Sequence, residues 1–359
     1  MDPSSENLPI DHPHGLWTLV TTSISLVLLL IGGFLIQPRL TERRIRIDDQ
    51  FILTPSEVAA LPSETLVVVL DREDGQDQND FKYKLLQLIL ERSQQPYALG
   101  FGAMIQSQDE AVKAISRGFD SQRNPMGLTV GVYGAGAVLN EHLHPIEIPV
   151  AGGVLGLRAG WTYREELPKL STIQDTADLQ EIVLLQGLGW SDVEIFDAAG
   201  LRTYTARPQE LFRLVDNRRV QLFPRGIAEL EDEEPLVRAA TNHTVLDPYL
   251  LIAYPFAGFF YVDPDNLRLA KAIRSGFERA IEDGSYQELI DQTVFTPWLK
   301  KHLNLANRKV LVLANPSAAE VLSAVNPDHW IVPWHELLQG DMNRGDQLCS
   351  LRQFKALCD

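Results

Sequence analysis

The sequence predicts an α/β protein of two lobes, joined by two crossing segments and preceded by one transmembrane helix. Strand-like and helix-like segments alternate from residue 65 to residue 134. Two extended apolar segments, near 146–153 and 250–257, bracket a second α/β stretch. An uncharged segment runs from Leu16 to Ile36. Alternation of strands and helices is typical of a mostly parallel sheet that carries helices on both faces.

The uncharged segment is long enough to cross a membrane as one helix, which needs about 20 apolar residues. A cleaved signal peptide is the alternative, but no basic residue precedes the segment and no small-x-small cleavage site follows it. We therefore expect an uncleaved anchor at 15–37, after a polar tail at 1–14 and before a linker at 38–62. The arginines after the anchor would place the rest of the chain in the cytoplasm by the positive-inside rule. Large domains can be translocated despite flanking charge, so both orientations stay open.

The first lobe begins with TLVVVLDRED at 65–74, a buried-type strand that ends in charged residues. The helix in DFKYKLLQLILERSQ, the short strand YALGFG, the helix in SQDEAVKAISRG and the strand GLTVGVYG follow in that order. Ser107 is a suitable N-cap for the second of these helices, and Gly118 is a suitable stop signal. This βαβαβ order predicts a mostly parallel sheet.

The crossing segments separate this lobe from a second one. The first crossing, within HPIEIPVAGGVLGLRAGW, is rich in Pro and Gly and ends strongly apolar. A helix opened by Pro208 and the strand VQLFPRG follow, and then the extended segment DPYLLIAYPFAGFFYVD and the amphipathic helix NLRLAKAIRSGFERAIEDG. Two lobes with two crossings form a hinged cleft. We predict a discontinuous first lobe at 63–150 and 252–340, a second lobe at 151–251 and a C-terminal tail at 341–359.

Composition and motifs argue against several classes of function. The net charge is −16 and no basic run offsets it, so a nucleic-acid partner is not expected. No G-x-S-x-G, H-E-x-x-H or Walker pattern occurs, so nothing indicates an enzyme. Cys349 and Cys358 fit no zinc spacing. They could form a disulfide outside the cytoplasm, or they could be two thiols without a role.

Three local patterns resemble known sites but lack essential residues. Gly134-x-Gly136 lacks the third glycine of a dinucleotide fingerprint. The segment EHLH at 141–144 has no evident third anchor for a metal. The segment DREDGQDQND is followed by Lys82, where a calcium loop needs its closing glutamate. We therefore expect neither a cofactor nor a metal ion.

Arg225 is the most informative single residue, because it lies between an apolar run and an acidic helix. A cation is poorly placed at a helix N-terminus, where the macrodipole already contributes positive charge. One interpretation is a surface ion pair with Glu229, one helical turn later. The other is a positive pocket for a carboxylate or phosphate, formed by the guanidinium and the helix N–H groups. Phe223 and Tyr254 would then supply its apolar walls.

From about residue 64 to 335 the chain resembles the type II periplasmic solute-binding proteins. It is most similar to the extracellular solute-binding family 3 relatives, which include polar amino-acid binders. The resemblance is carried by TLVVVLDRED, IEIPVAGGVLGLR, RPQELFRLVDNRRVQLFPRGIAE, YPFAGFFYVDPDNLRLAKAIRSGFERAIEDGSYQELI and VLANP. It implies a two-lobed extracytoplasmic module that binds its ligand in the cleft and has no enzyme activity.

The chain departs from that family where amino-acid binders hold the two charges of their ligand. They carry an arginine after the third strand for the α-carboxylate, but the region here reads GVYGAGAVLNEH. They place an aspartate for the α-ammonium at or near the position of Arg225. A free amino acid is therefore a doubtful ligand. An anionic ligand, or a degenerate module that binds no small molecule, is expected instead.

We thus predict a membrane-tethered, solute-binding-like protein of the cell inner membrane, with its soluble part periplasmic. It would bind a small polar or anionic ligand, such as a carboxylate, for transport with a permease or for sensing. A signalling or protein-interaction module without a transport role is the main alternative, and a cytoplasmic enzyme on the same fold is the third. Arg225 would be the charge anchor of the site. The predicted ligand-binding residues are Asp71, Arg72, Tyr133, Gly152, Gly153, Arg158, Phe223, Arg225 and Tyr254.

Overall fold

A computed structural model describes residues 60–72, 76–102, 108–116 and 128–358. All of them belong to one compact unit, Gln50–Asp359. The predicted anchor at 15–37 and most of the predicted linker lie outside the described residues. Within the described ranges, no helix is both long and apolar enough to cross a membrane.

We use the names first lobe and second lobe for the parts of this unit that are built on its two larger sheets. The first is a five-stranded sheet of mixed direction with the order β2-β1-β3-β11-β4. β1 is parallel to β2 and β3, while β11 is antiparallel to β3 and β4. Every residue of β1 is buried, as expected for a strand covered on both faces. The strands are β1 (Leu66–Leu70), β2 (Tyr97–Phe101), β3 (Val130–Gly134), β4 (His144–Ile146) and β11 (Gly258–Val262).

Helices cover both faces of this sheet, and they fall close to the predicted positions. One face packs on α1 (Phe81–Ser93) and α9 (Leu267–Glu282). These helices approach closely because Gly276 has no side chain. A Cβ at this position would lie only 2.0 Å from the Ile89 carbonyl oxygen. The other face packs on α2 (Gln108–Ile115) and on α12 (Ala319–Ser323).

The second lobe contains a sheet with the order β12-β10-β5-β8, and β9 also pairs with β5. A parallel pair, β6 and β7, is linked to it by a bridge between Leu184 and Leu222. The strands are β5 (Leu157–Tyr163), β6 (Val183–Gly187), β7 (Arg202–Ala206), β8 (Phe223–Gly226), β9 (Thr244–Leu246), β10 (Leu250–Ala253) and β12 (Lys309–Val312). The remaining helices are α3 (Ala137–Asn140), α4 (Leu167–Leu170), α5 (Thr176–Leu179), α6 (Asp192–Ala198), α7 (Leu211–Asp216), α8 (Leu230–Ala240), α10 (Ser285–Thr293), α11 (Pro297–Leu303), α13 (Trp334–Gln339), α14 (Gly345–Cys349) and α15 (Lys355–Cys358).

The mixed α/β fold is confirmed, but the chain passes between the two sheets more often than predicted. Both predicted crossings are present, one between β4 and β5 and one between β10 and β11. The chain then returns to the second sheet, where β12 pairs with β10 in parallel, and goes back to pack α12 on the first sheet. The predicted lobe boundaries stay predictions, but the range 252–340 contributes to both sheets.

The C-terminal extension, defined here as residues 305–358, makes contacts with several parts of the fold. Arg308 is fully buried, pairs with Asp247 at 3.8 Å and donates to the Leu250 carbonyl oxygen at 2.6 Å. The amides of Ile331 and Val332 both donate to the Gly152 carbonyl oxygen, at 2.9 and 3.0 Å. The extension therefore contacts the second sheet, the first lobe and the first crossing, where a simple hinge was expected.

The end of the extension is folded and contains a disulfide. Cys349 and Cys358 are bonded to each other, so the oxidised alternative is the one observed. Phe354 lies between them in sequence, is fully buried and stacks on Phe295 at 5.7 Å. The segment predicted as a tail is therefore packed against the helices that follow α9.

Candidate functional site

A cavity of about 670 Å³ lies between the loop after β1 and the start of α8. Residues of the first lobe, the second lobe and the first crossing line it. Its lining residues are Gln76, Asp77, Asn79, Asp80, Phe81, Lys82, Val132, Val150, Ala151, Leu155, Ala228, Asp232, Thr293 and Val294.

Local hydrogen bonds shape the loop that forms one wall of this cavity. Asp80 is the N-cap of α1, and its Oδ1 accepts from the Lys82 amide at 2.8 Å. Asp77 Oδ1 accepts from the Asn79 amide at 2.6 Å. Aspartate is favoured at these positions because its carboxylate satisfies amides that a turn or helix start leaves unpaired. The same residues bring negative charge to the cavity.

The cavity lining has an excess of negative charge. Among the described residues of the lining, the ionisable side chains are Asp77, Asp80, Asp232 and Lys82. Burial raises the pKa of Asp232, and the neighbouring Glu231 and Asp80 raise it further. Burial is the larger of these causes and the like charges are the smaller one, since both disfavour the ionised carboxylate. A cation near Asp232 would lower its pKa.

The predicted residues of the first lobe support the loop next to this cavity. The Tyr133 hydroxyl donates to Asp71 Oδ2 at 2.9 Å. Arg72 is buried, and its Nε donates to the Gln76 carbonyl oxygen at 3.2 Å. Asp71 and Tyr133 are thus brought together, Arg72 holds the loop after them, and none of the three lines the cavity.

The predicted glycines of the first crossing are covered by the C-terminal extension. Gly152 and Gly153 have φ of 57° and 86°, which residues with a Cβ rarely adopt. A Cβ at Gly152 would lie 2.5 Å from Ile331 Cγ1, and one at Gly153 would lie 2.6 Å from Trp334 Nε1. The glycines therefore allow the extension to approach the crossing.

Arg158 and Tyr254 form a buried polar cluster with Asp192, at the start of α6. Arg158 Nη2 lies 3.1 Å from Asp192 Oδ1, and the guanidinium lies 5.5 Å from the centre of the Tyr254 ring. The Tyr254 hydroxyl also donates to Asp192. Burial raises the pKa of Tyr254 well above its usual value. Burial opposes the charge on Arg158, but Tyr254 and Asp192 outweigh it and raise the pKa of the guanidinium.

Arg225 is held by two carboxylates of α8 and the turn before it. Its Nη2 donates to Glu229 Oε1 at 2.8 Å, and its Nε donates to Glu233 Oε1. Its guanidinium lies 4.6 Å from the centre of the Trp190 ring and 5.4 Å from that of Phe223. The ion pair with Glu229 that the sequence left open is therefore observed, and Glu233 adds a second one.

The Arg158 and Arg225 clusters join through Glu229, which also pairs with Arg158 Nη1 at 3.3 Å. We call this set the second-lobe network; its members are Arg158, Asp192, Arg225, Glu229, Glu233 and Tyr254. Arg225 is at the end of β8, and Glu229 and Glu233 follow it by four and eight residues, so its partners are near neighbours in sequence. Asp192 and Trp190 are distant in sequence, and no local signal indicated them. The ligand roles predicted for the nine residues stay predictions.

No protein-family model matches this chain, and no curated protein matches it. Similar solved structures include an amino-acid ABC transporter substrate-binding protein from Streptococcus pneumoniae bound to L-arginine. The two chains are 11% identical with a TM-score of 0.41, over 64% of this chain and 94% of that one. A histidine kinase sensor domain with similarity to periplasmic binding proteins is 14% identical, with a TM-score of 0.42 over 64% and 96% of the chains.

An ancestral amino acid-binding protein, a precursor of cyclohexadienyl dehydratase, is 12% identical with a TM-score of 0.42, over 64% and 96% of the chains. Several other similar structures are substrate-binding proteins of amino-acid transporters, the group that the sequence resembles.

Proposed function

We propose that this chain is a solute-binding-like protein, and that its cavity binds a small polar ligand with a cationic group. The observation that carries this proposal is the cavity itself, which residues of both lobes and of the first crossing line. Its volume of about 670 Å³ falls within the range of about 300–1,000 Å³ typical of ligand pockets.

The charge of the lining supports a cationic ligand. Three aspartates and one lysine stand among the described residues of the lining. Phe81, Val132 and Leu155 offer apolar contacts for the carbon part of such a ligand. An ammonium or guanidinium attached to a short carbon chain would match both features.

The anionic ligand predicted from Arg225 receives less support from the geometry. Its guanidinium is engaged by Glu229 and Glu233, so an anion would have to compete with two carboxylates of the same chain. Two negative groups beside the proposed anchor also repel an anion. The binding test therefore includes anionic ligands for comparison.

Isothermal calorimetry of the full-length chain tests the proposal with two ligand panels of matched size. One panel carries primary amines and guanidines, and the other carries carboxylates and phosphates. Binding of the cationic panel is expected, and Asp232→Asn should weaken it about tenfold because a charge-assisted contact is worth about 1.5 kcal/mol or more. Glu234→Gln is the matched control, since Glu234 lies on the same helix but pairs with Arg238 outside the cavity.

Preference for the anionic panel, or unchanged cation affinity in Asp232→Asn, would overturn the cationic assignment. A cavity that binds members of neither panel would argue for an interaction module. We propose binding without catalysis, and the described residues of the lining offer carboxylates, amides and a lysine to a ligand.

We further propose that segment 15–37 tethers the protein to the cell inner membrane, with the described part on the extracytoplasmic side. Its partner would be a permease in transport or a signalling protein in sensing. Protease treatment of intact cells tests the orientation, and purification of complexes from membranes distinguishes the two partners. Protection from the protease would favour the opposite orientation, which the cytoplasmic-enzyme alternative requires.

A further inference from the structure

We infer that the second lobe contains a guanidinium-binding site that the chain fills with its own Arg225. We call the surrounding groups the Arg225 cage; they are Trp190, Phe223, Glu229 and Glu233. The ligand class of the emptied cage is an alkylguanidinium. The cage is distinct from the cavity proposed above, although both use the start of α8.

The cage has the geometry with which proteins recognise a guanidinium. Two carboxylates accept from the edge of the Arg225 side chain, one at Nε and one at Nη2. The Trp190 ring covers the guanidinium at 4.6 Å. A guanidinium is planar, so it can donate to acceptors in its plane while an aromatic ring covers its face. A compact ammonium fits this arrangement less well.

The groups of the cage are held in place by contacts that do not involve Arg225. Glu233 also accepts from Trp161 Nε1 at 2.9 Å. Glu229 Oε2 also accepts from the Gly226 amide at 2.8 Å and lies 3.3 Å from Arg158 Nη1. The cage should therefore keep its shape after the Arg225 side chain is removed.

The aromatic wall is equally well supported. Trp190 stacks on Phe223, with ring centres 6.3 Å apart. It also lies against the backbone of Gly187, where a Cβ would come within 2.2 Å of the indole ring. Phe223 is almost fully buried in the core of the lobe. Neither ring depends on Arg225 for its position.

Arg225 supplies one of the two positive charges of the second-lobe network. The network holds two arginines against Asp192, Glu229 and Glu233. Removal of Arg225 would leave Arg158 against three carboxylates, two of them at the cage. Burial already raises the pKa of Glu233, and the positive charge of Arg225 and the Trp161 hydrogen bond counteract this rise.

Arg218 provides an internal control, because it has the same types of partner on the surface. It pairs with Glu165 at 2.8 Å and Glu166 at 3.1 Å, and it lies 5.0 Å from the centre of the Tyr163 ring. Its side chain is 47% exposed, whereas that of Arg225 is 13% exposed. Water screens the Arg218 group, so its removal should leave no guanidinium site.

The test is calorimetric titration of methylguanidinium into full-length Arg225→Ala, Arg218→Ala and the parent chain. Arg225→Ala should bind methylguanidinium at least about tenfold more tightly than the other two, which corresponds to one charged hydrogen bond. Methylammonium should bind less tightly, because its donors diverge from one nitrogen and match the in-plane acceptors less well than a planar fork does. The same titrations in an Asp232→Asn background separate the cage from the cavity, so either proposal can fail alone.

A folded Arg225→Ala protein that binds methylguanidinium no better than Arg218→Ala would overturn the inference. If Arg225→Ala does not fold, it is refolded in the presence of methylguanidinium or of methylammonium, each at millimolar concentration. Near-UV circular dichroism of the two samples then shows which cation restores the fold. Recovery with methylguanidinium alone would support a guanidinium site. Recovery with both cations or with neither would contradict it.

Discussion

The cavity lining and the second-lobe network are both rich in charge, but they differ in how that charge is balanced. In the network, each carboxylate lies within hydrogen-bonding or ion-pair distance of an arginine of the same lobe. In the cavity, three aspartates share the lining with one lysine. The comparison teaches that a lone arginine in the sequence is a weak sign of a ligand where the same chain surrounds it with carboxylates, as Glu229 and Glu233 surround Arg225.

The largest effect is expected when an arginine of the network is removed. Arg158→Ala should destabilise the protein by about 4 kcal/mol, because it leaves Asp192 buried without its cation. Arg218→Ala should change stability by less than about 1 kcal/mol, since that arginine is exposed and screened. Urea unfolding monitored by circular dichroism measures both free energies. Similar losses in the two variants would show that burial does not separate the network from an ordinary surface ion pair.

A second test asks whether the C-terminal extension maintains the crossing beside the cavity. Trp334→Ala should destabilise the protein by about 3 kcal/mol, because the buried ring packs against Gly153 and Gly156. Hydrogen exchange should also become faster at the amides of Val154 and Gly156. Trp298→Ala, which truncates a partly buried ring stacked on His302, is the control. Faster exchange in the control alone would contradict a role of the extension at the crossing.

The smallest test concerns the excess charge of the cavity. The pKa of Asp232 is raised in the folded protein, so ionisation of this group opposes folding above that pKa. The penalty should diminish as the pH falls through the raised pKa toward the ordinary aspartate value. Asp232→Asn should therefore stabilise the ligand-free protein slightly at neutral pH and flatten its stability between neutral pH and pH about 4. Thermal unfolding across this range measures the effect, and a stability loss in the variant at neutral pH would contradict it.

Much of the fold could be predicted because local patterns specify it. The fully apolar run at β1 and the 3.6-residue spacing of α1 and α9 identify buried elements without any tertiary information. The crossing segments were visible as Pro-rich and Gly-rich apolar stretches. The return of the chain to the second sheet at β12 was not predicted. Its four residues pair with β10, and the partner of a short strand is not encoded in its own sequence.

The candidate site was harder to predict, because it depends on which charges meet in space. The sequence by itself determined the strands, the helices and the one-turn spacing that lets Arg225 reach Glu229. Only the tertiary structure decided that Trp190 covers the guanidinium, that Arg158 meets Asp192, and that Asp77, Asp80 and Asp232 face one cavity. Propensity and periodicity act between near neighbours in the chain, whereas electrostatic balance depends on distance in space between residues far apart in sequence.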